Sequence, residues 1–269
     1  MRKNHLRELL KAGRPSLGTH LLSSWPSMVE LIGRTGHFDY VEFVAEYAPF
    51  DLYALENLGR AIELFDDFSG MIKIEQEPRT HLATRAVGAG IQNVLFSDVR
   101  TVADVEESVR SVRAEPPQTG GMQGFALRRD VGLVFEPGSP AYVQALEDVV
   151  VGLMIEKKEA VNDLPTLLAL RGVDLVQFGP GDYAMSIGLP GQRDHPAVVE
   201  AEEYVIKTAL QMGIAPRAEC KPTEIGRYLG MGVRNFCIGT DVRILHEWWN
   251  VNGAQMRASL EAVAATQGG

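Results

Sequence analysis

Short apolar runs alternate along almost the whole chain with longer stretches in which apolar residues recur every three or four positions. Runs of the first kind read as strands and stretches of the second as helices. The strand-like runs in the first half are SLGTHLL (16–22), DYVEFVA (39–45), GMIKIE (70–75) and NVLFS (93–97). Those in the second half are VVVGLMIE (149–156), VDLVQFG (173–179), IAPRAE (214–219) and NFCIGT (235–240). Amphipathic patterns such as LYALENLGRAIELF and PTEIGRYLGMG lie between them. Alternating strands and helices predict a parallel sheet covered by helices. Eight such strands close into a (β/α)8 TIM barrel more readily than they build an open sheet, and 269 residues suit one such domain, 1–269.

Two stretches depart from the pattern. Pro116 to Pro140 is rich in Gly and Pro and has no period; a loop of this length is expected to cover the site as a lid, with Arg128, Arg129 and Asp130 inside it. After the eighth run, ILHEWWNVNGAQMRASLEAVAATQ reads as a helix over 243–266. Its Trp248–Trp249 pair serves either the core or a subunit contact.

Composition narrows the partners. The net charge of −9 and pI of about 5.2 argue against nucleic acid or an anionic membrane. A small anionic substrate remains compatible, because a bound metal or local cations outweigh the global field. Cys220 and Cys237 have neither a disulfide-framework count nor zinc spacing. The start, MRKNHLRELLKAG, is an amphipathic helix pattern without the apolar core of a signal peptide, so a cytoplasmic location is expected.

In an eight-fold barrel the active site forms where strands end. The polar residues there are His20, Glu46, Tyr47, Lys73, Glu75, Ser97, Glu156, Asp182 and Glu219. Glu156 closes an apolar run, and a carboxylate buried there requires a cation or hydrogen-bond donors. Asp182 follows the tight turn Gly179–Pro180–Gly181, whose amides can receive a carboxylate. Two carboxylates on adjacent strand ends suit a hard divalent ion such as Mg²⁺, Mn²⁺ or Co²⁺, with positions open for water and substrate. The alternative is that Glu156 pairs with Lys157 or Lys158 and Asp182 caps a helix.

The segment GLMIEKKEAVNDLPTLLALRGVDLVQFGPGDYAMSIGLPG, with RDHPAVVEA after it, resembles the signature region of the HpcH/HpaI aldolase/citrate lyase family, the metal-dependent class II pyruvate aldolases. GHFDYVEF, EYAPFD, AVGAGIQNVLF and DVRTVADVEESVRSVRAEPP extend the resemblance upstream. It implies a barrel of the phosphoenolpyruvate/pyruvate-binding type, commonly a homo-oligomer (a hexamer), with Glu156 and Asp182 as metal ligands. It further implies that the Gly181 and Asp182 amides help to hold a 2-oxo acid, and that the metal serves an aldolase-type carbon–carbon lyase through a stabilised enolate.

The departures fall on the proton-transfer half. Tyr47 stands where the family has a general-base histidine, Lys73 where it has an arginine, and Met154 where it has a glutamine; the family's RG after the paired prolines is missing. Tyr47 either donates to a developing oxyanion or packs at the rim. Lys73 supplies positive charge or, in a class I mechanism, a Schiff base. His20 is the remaining candidate for proton transfer near neutral pH, or a structural histidine. Glu46 is a candidate to orient a neighbouring group, Glu219 and Lys221 read as a surface ion pair, and Arg217 shares the face of Glu219. The functions compatible with this pattern are a metal-dependent lyase, an enolate-forming decarboxylase, hydrolase or isomerase, and a weakened metabolite-binding relative.

Overall fold

A computed structural model of the chain describes residues 2–126, 129 and 136–267. It opens with helix α1 (His5–Lys11), followed by β1 (Ser16–Leu21), α2 (Pro26–Arg34), β2 (Tyr40–Val44), α3 (Leu52–Ile62) and β3 (Ser69–Ile74). Next come α4 (Arg79–Gly88), β4 (Asn93–Phe96), α5 (Val102–Val112), α6 (Pro140–Glu147) and β5 (Val150–Ile155). The chain continues through α7 (Lys158–Asn162), α8 (Leu164–Leu168), β6 (Leu175–Phe178), α9 (Pro180–Ser186) and α10 (Pro196–Gln211). It ends with β7 (Ala215–Glu219), α11 (Ile225–Met231), β8 (Asn235–Thr240) and α12 (Asp241–Gln267).

The strands pair in sequence order, all parallel, and β8 returns to β1 to close a (β/α)8 TIM barrel. Each strand lies within two residues of its expected bounds. The largest difference is at β6, because the Asp174 carboxylate leaves the strand path to accept from the Val151 amide and a bidentate Arg7. Helix α12 begins earlier than expected because Asp241 accepts from the Leu22 and Ser23 amides, tying the helix start to the end of β1.

Closure explains why the strand runs are almost continuously apolar. Outward residues such as Phe43, Ile72, Val94, Leu153 and Val176 are buried against the helices. Each is worth about 1.5–3 kcal/mol of burial. Inward residues share the axis. At its lower end Leu6 of α1 plugs the barrel among Tyr40, Met71, Leu95, Val150 and Leu175. Arg7 fixes this plug through Asp174 and the Val149 carbonyl, at 2.5–2.8 Å. Tyr40 needs room that only a glycine opposite leaves: a Cβ at Gly18 would lie 2.2 Å from the Tyr40 ring.

The described part of the loop expected to be a lid lies away from the strand ends. It leaves α5 at the lower face of the barrel, opposite the strand ends that carry the acids. The Gly121, Met122 and Gln123 amides donate to carbonyls at the end of α5. Arg129 pairs with Glu63 at the end of α3 and donates its amide to Gly88 at the end of α4. Arg128 and Asp130 lie outside the described residues.

Gly18→Ala is expected to destabilise the barrel by about 1–3 kcal/mol, because the Tyr40 ring is pinned by its own hydroxyl hydrogen bond and cannot give way. Urea unfolding measures this, and a variant that unfolds at the wild-type midpoint contradicts it.

Candidate active site

The upper ends of β2 to β6 bring together four carboxylates and two ammonium groups. Glu156 follows β5 and is 2% exposed. Its Oε1 accepts the Asp98 amide at 2.8 Å. Its Oε2 lies against the turn after β6, where a Cβ on Gly179 would be 2.7 Å away. The glycine that this packing demands is therefore Gly179, whereas a Cβ at Gly181 would meet nothing within 4 Å. Space at Gly181 faces solvent or ligand.

Helix α9 starts at this turn. The Tyr183 amide donates to Gly179, which leaves the Gly181 and Asp182 amides of the first turn without a helical acceptor. Asp182 does not cap the helix: the N-cap is Gly179, and no side chain serves it. The Asp182 Oδ1 instead meets Lys157 Nζ at 3.1 Å, and the same ammonium meets Asp98 Oδ1 at 3.0 Å. Lys157 thus pairs with Asp98 and Asp182.

Lys73, at the end of β3, is buried with its Nζ 2.5 Å from Glu46 Oε2. Burial opposes its charge, but Glu156 and Glu46 hold its pKa above the ordinary lysine value. A lysine held charged is a poor nucleophile, which weighs against a Schiff base. The same ammonium lies 5.3 Å from the centre of the Tyr47 ring. Tyr47 is 63% exposed at the rim. Desolvation, together with the Glu46 and Asp182 carboxylates, raises its phenol pKa against the pull of Lys73. Tyr47 is therefore a hydrogen-bond donor near neutral pH and no base. Burial also raises the Glu156 carboxyl; Lys73 and the Asp98 amide oppose this, while Asp182 and Glu46 add to it. Burial is the largest of these effects, and among the charges Lys73 acts most strongly on Glu156.

Among the described residues, the remaining strand-end residues form no ion pair with this group. Glu75 is exposed, and Ser97 donates to the Ile74 carbonyl at 2.7 Å. His20 is buried on the β1 side, 3.5 Å from Glu42 and 3.9 Å from Glu219. Glu219 thus faces His20, and the Lys221 amide is bound to Glu224. A shallow cavity of about 540 Å³ lined by Glu77, Arg79, Thr80 and Glu107 lies beside α4 and contains none of the mouth acids.

The profile of the HpcH/HpaI aldolase/citrate lyase family matches residues 20–224. The chain belongs to that family. It is 28% identical over 245 residues to a pyruvate aldolase of Rhizobium etli, covering 90% of this chain and 93% of that protein. To a 4-hydroxy-2-oxo-heptane-1,7-dioate aldolase of Escherichia coli it is 29% identical over 263 residues, covering 97% and 98%. The crystal structure of an HpcH/HpaI aldolase/citrate lyase family protein from Burkholderia cenocepacia superposes with a TM-score of 0.84 at 27% identity, covering 95% of this chain and all of that one. The chain is thus an aldolase-type lyase by kind. Against the HpcH/HpaI pattern that the sequence motifs resemble, the acids Glu156 and Asp182 stand at the mouth. Tyr47 and Lys73, the altered positions, stand directly beside them.

One residue of this cluster escapes the sequence reading and another has a different partner from the one expected. Asp98 is the sole non-glycine residue with positive φ among the described residues, at 56°, and its amide and carboxylate serve Glu156 and Lys157 respectively. Lys157 looked like a partner for Glu156 and serves the flanking acids instead. The available signal was the pair SD after an apolar strand, since Asp tolerates the left-handed region better than most residues. We expect Asp98→Gly to be more stable than Asp98→Ala by about 1 kcal/mol, because both lose the carboxylate and only Ala opposes the left-handed backbone. Equal chemical-denaturation midpoints for the two variants would show that Glu156 does not depend on this conformation.

Proposed function

We propose that this chain is a divalent-metal-dependent carbon–carbon lyase that acts on a 2-oxo acid. The observation that carries the reading is the placement of Glu156, whose Oε2 is directed at the Gly179 turn leading to Asp182. The donor chemistry suits Mg²⁺, Mn²⁺ or Co²⁺: two carboxylates, one of them buried with its carboxyl pushed up chiefly by that burial, in a cluster of four carboxylates and two ammonium groups. Among the described residues no group of three or more His, Cys, Asp or Glu side chains is arranged to hold a metal, so the ion would rest on these two, with water and substrate completing its shell.

What the bound ion supplies is positive charge at the substrate's keto oxygen, so that an enolate is tolerated when the carbon–carbon bond breaks. The protein's own groups do the rest. The Gly181 and Asp182 amides receive the substrate carboxylate at the open turn. Lys73 is anchored by Glu46 and adds a fixed cation beside Glu156. Tyr47 donates a hydrogen bond from the rim. With no base at that position, His20 is the group left to handle a proton. The same observation favours a second reading, an enolate-forming decarboxylase, hydrolase or isomerase, whose substrate needs no base at Tyr47.

The proposal includes a small anionic substrate, no nucleic-acid or membrane partner, a cytoplasmic setting and a homo-oligomer. No helix among the described residues is long and apolar enough to cross a membrane. The assembly rests on α12, which leaves Trp248, Trp249, Val251, Met256 and Leu260 each more than half exposed. Large exposed apolar surfaces on a soluble protein mark interaction sites.

Divalent ions are expected to raise the melting temperature of the wild type, with Glu156→Ala and Asp182→Ala losing the shift. Pyruvate release from a panel of hydroxy-oxo acids should disappear in EDTA. A wild type indifferent to every divalent ion and to EDTA rejects the metal. By light scattering the protein is expected to be a multiple of its 29.5 kDa chain mass, a hexamer, with Trp248→Glu/Trp249→Glu shifting it to smaller species. A monomer at micromolar concentration rejects the assembly.

A further inference from the structure

A second set of charges crosses the barrel interior below the mouth, and the lyase reading leaves most of it unused. Glu42 of β2 is 1% exposed, and Arg217 of β7 is 2% exposed. Their Oε2 and Nη1 atoms are 2.5 Å apart. Arg217 is fixed to the wall: its Nε donates to the Tyr40 hydroxyl at 2.8 Å and its Nη1 to Gln177 at 2.5 Å. The Tyr40 hydroxyl in turn donates to the Phe236 carbonyl. The other oxygen of Glu42 lies 3.5 Å from His20 Nε2. Glu42 is therefore the hub that joins an immobile guanidinium to the imidazole.

A carboxylate this deeply buried is ionised only because cations surround it. Burial pushes the Glu42 pKa up, but Arg217, His20 and Lys73 outweigh burial and lower it. The groups facing His20 are Glu42 from β2, Cys237 from β8, and Arg217 and Glu219 from β7. Burial works against a charged imidazole there. The Cys237 sulfur and the Glu42 carboxylate prevail over burial and Arg217, and the His20 pKa is pushed up to about 9. Cys237 is fully buried, while Glu219 is half-exposed at the rim and connects His20 to solvent.

We propose that Glu42 is a positioning residue that keeps His20 charged and oriented, so that His20 serves the reaction as a proton donor. The inference rests on the lyase reading of the preceding section. In that reaction the carbon–carbon bond of a hydroxy-oxo acid breaks and its electron pair passes to the carbon beside the keto group. The hydroxyl proton leaves to water at the open mouth, and the His20 proton goes to that carbon. The neutral imidazole then regains a proton from solvent by way of Glu219. This division of labour fits a site with Tyr47 in place of a base, because the proton that the protein must supply is the one added to carbon.

The test is an NMR titration of His20 in the full-length protein, with kcat/KM followed against pH on one hydroxy-oxo acid. In the wild type the imidazole midpoint is expected near 9, with activity falling as pH rises through it. Glu42→Gln should lower the midpoint, although Cys237 stays in place, and lower kcat/KM by up to about 10²-fold at pH values between the two midpoints. Stability has the same sign: a raised histidine contributes fully below its unfolded value of about 6.5, and that contribution is lost as pH rises through the folded one. Should Glu42→Gln fail to fold with Arg217 left unpaired, Glu42→Gln/Arg217→Met removes both charges together, and the midpoint must fall in it as well. A His20 midpoint unmoved in either variant, or already below about 7 in the wild type, overturns the proposal. So does a midpoint that moves while the activity profile stays in place. Wild-type protein that shows the expected titration but cleaves no hydroxy-oxo acid overturns the lyase reading and the donor role, and leaves the Glu42–His20 pairing standing.

Discussion

Closing eight parallel strands into a ring sends every second side chain of each strand into one narrow shared volume, and that volume has no solvent with which to screen charge. Each ionised group admitted to it must bring its own counter-charge, at a fixed place on the wall. Glu42 and Arg217 meet this condition in the middle of the barrel, and Lys73 with Glu46 meets it higher up. Glu156 meets it only in part, through one backbone amide and a nearby ammonium. The mouth of this barrel is therefore electrostatically unfinished in one place, and that place is the one where the family signature puts its acids.

The two polar layers are linked through the interior. Glu42 feels Lys73 as well as Arg217 and His20. A change at one level consequently alters the charge balance at the other, although no hydrogen bond joins them directly.

Much of the fold could be read from the sequence, because strands buried on both faces write themselves as largely apolar runs. Glu156 was visible because it closes such a run, and Asp182 because it follows the Gly179–Pro180–Gly181 turn. Glu42 was harder: it sits inside DYVEFVA, two positions from Tyr40, and its inward direction follows only when closure of the barrel is known. Asp98 was missed because its role comes from a left-handed backbone, which one letter in a loop does not declare. The lid was misplaced for a simpler reason. Length alone suggested a cover for the site, whereas the order of elements already fixed which face the loop must leave from: a segment that follows a barrel helix emerges at the opposite end from the acids.

The cork at the lower end has a consequence for how the chain comes together. Leu6 and Arg7 belong to the first helix made, yet the carboxylate that Arg7 grips belongs to Asp174, 167 residues further on. Asn4 likewise waits for Asn93 and for the carbonyl of Asp148. During synthesis at roughly 5–20 residues per second, α1 leaves the ribosome many seconds before its last partner exists. Its apolar face must stay unsatisfied through that interval, so the segment of this chain that is born first is among the last to find its seat.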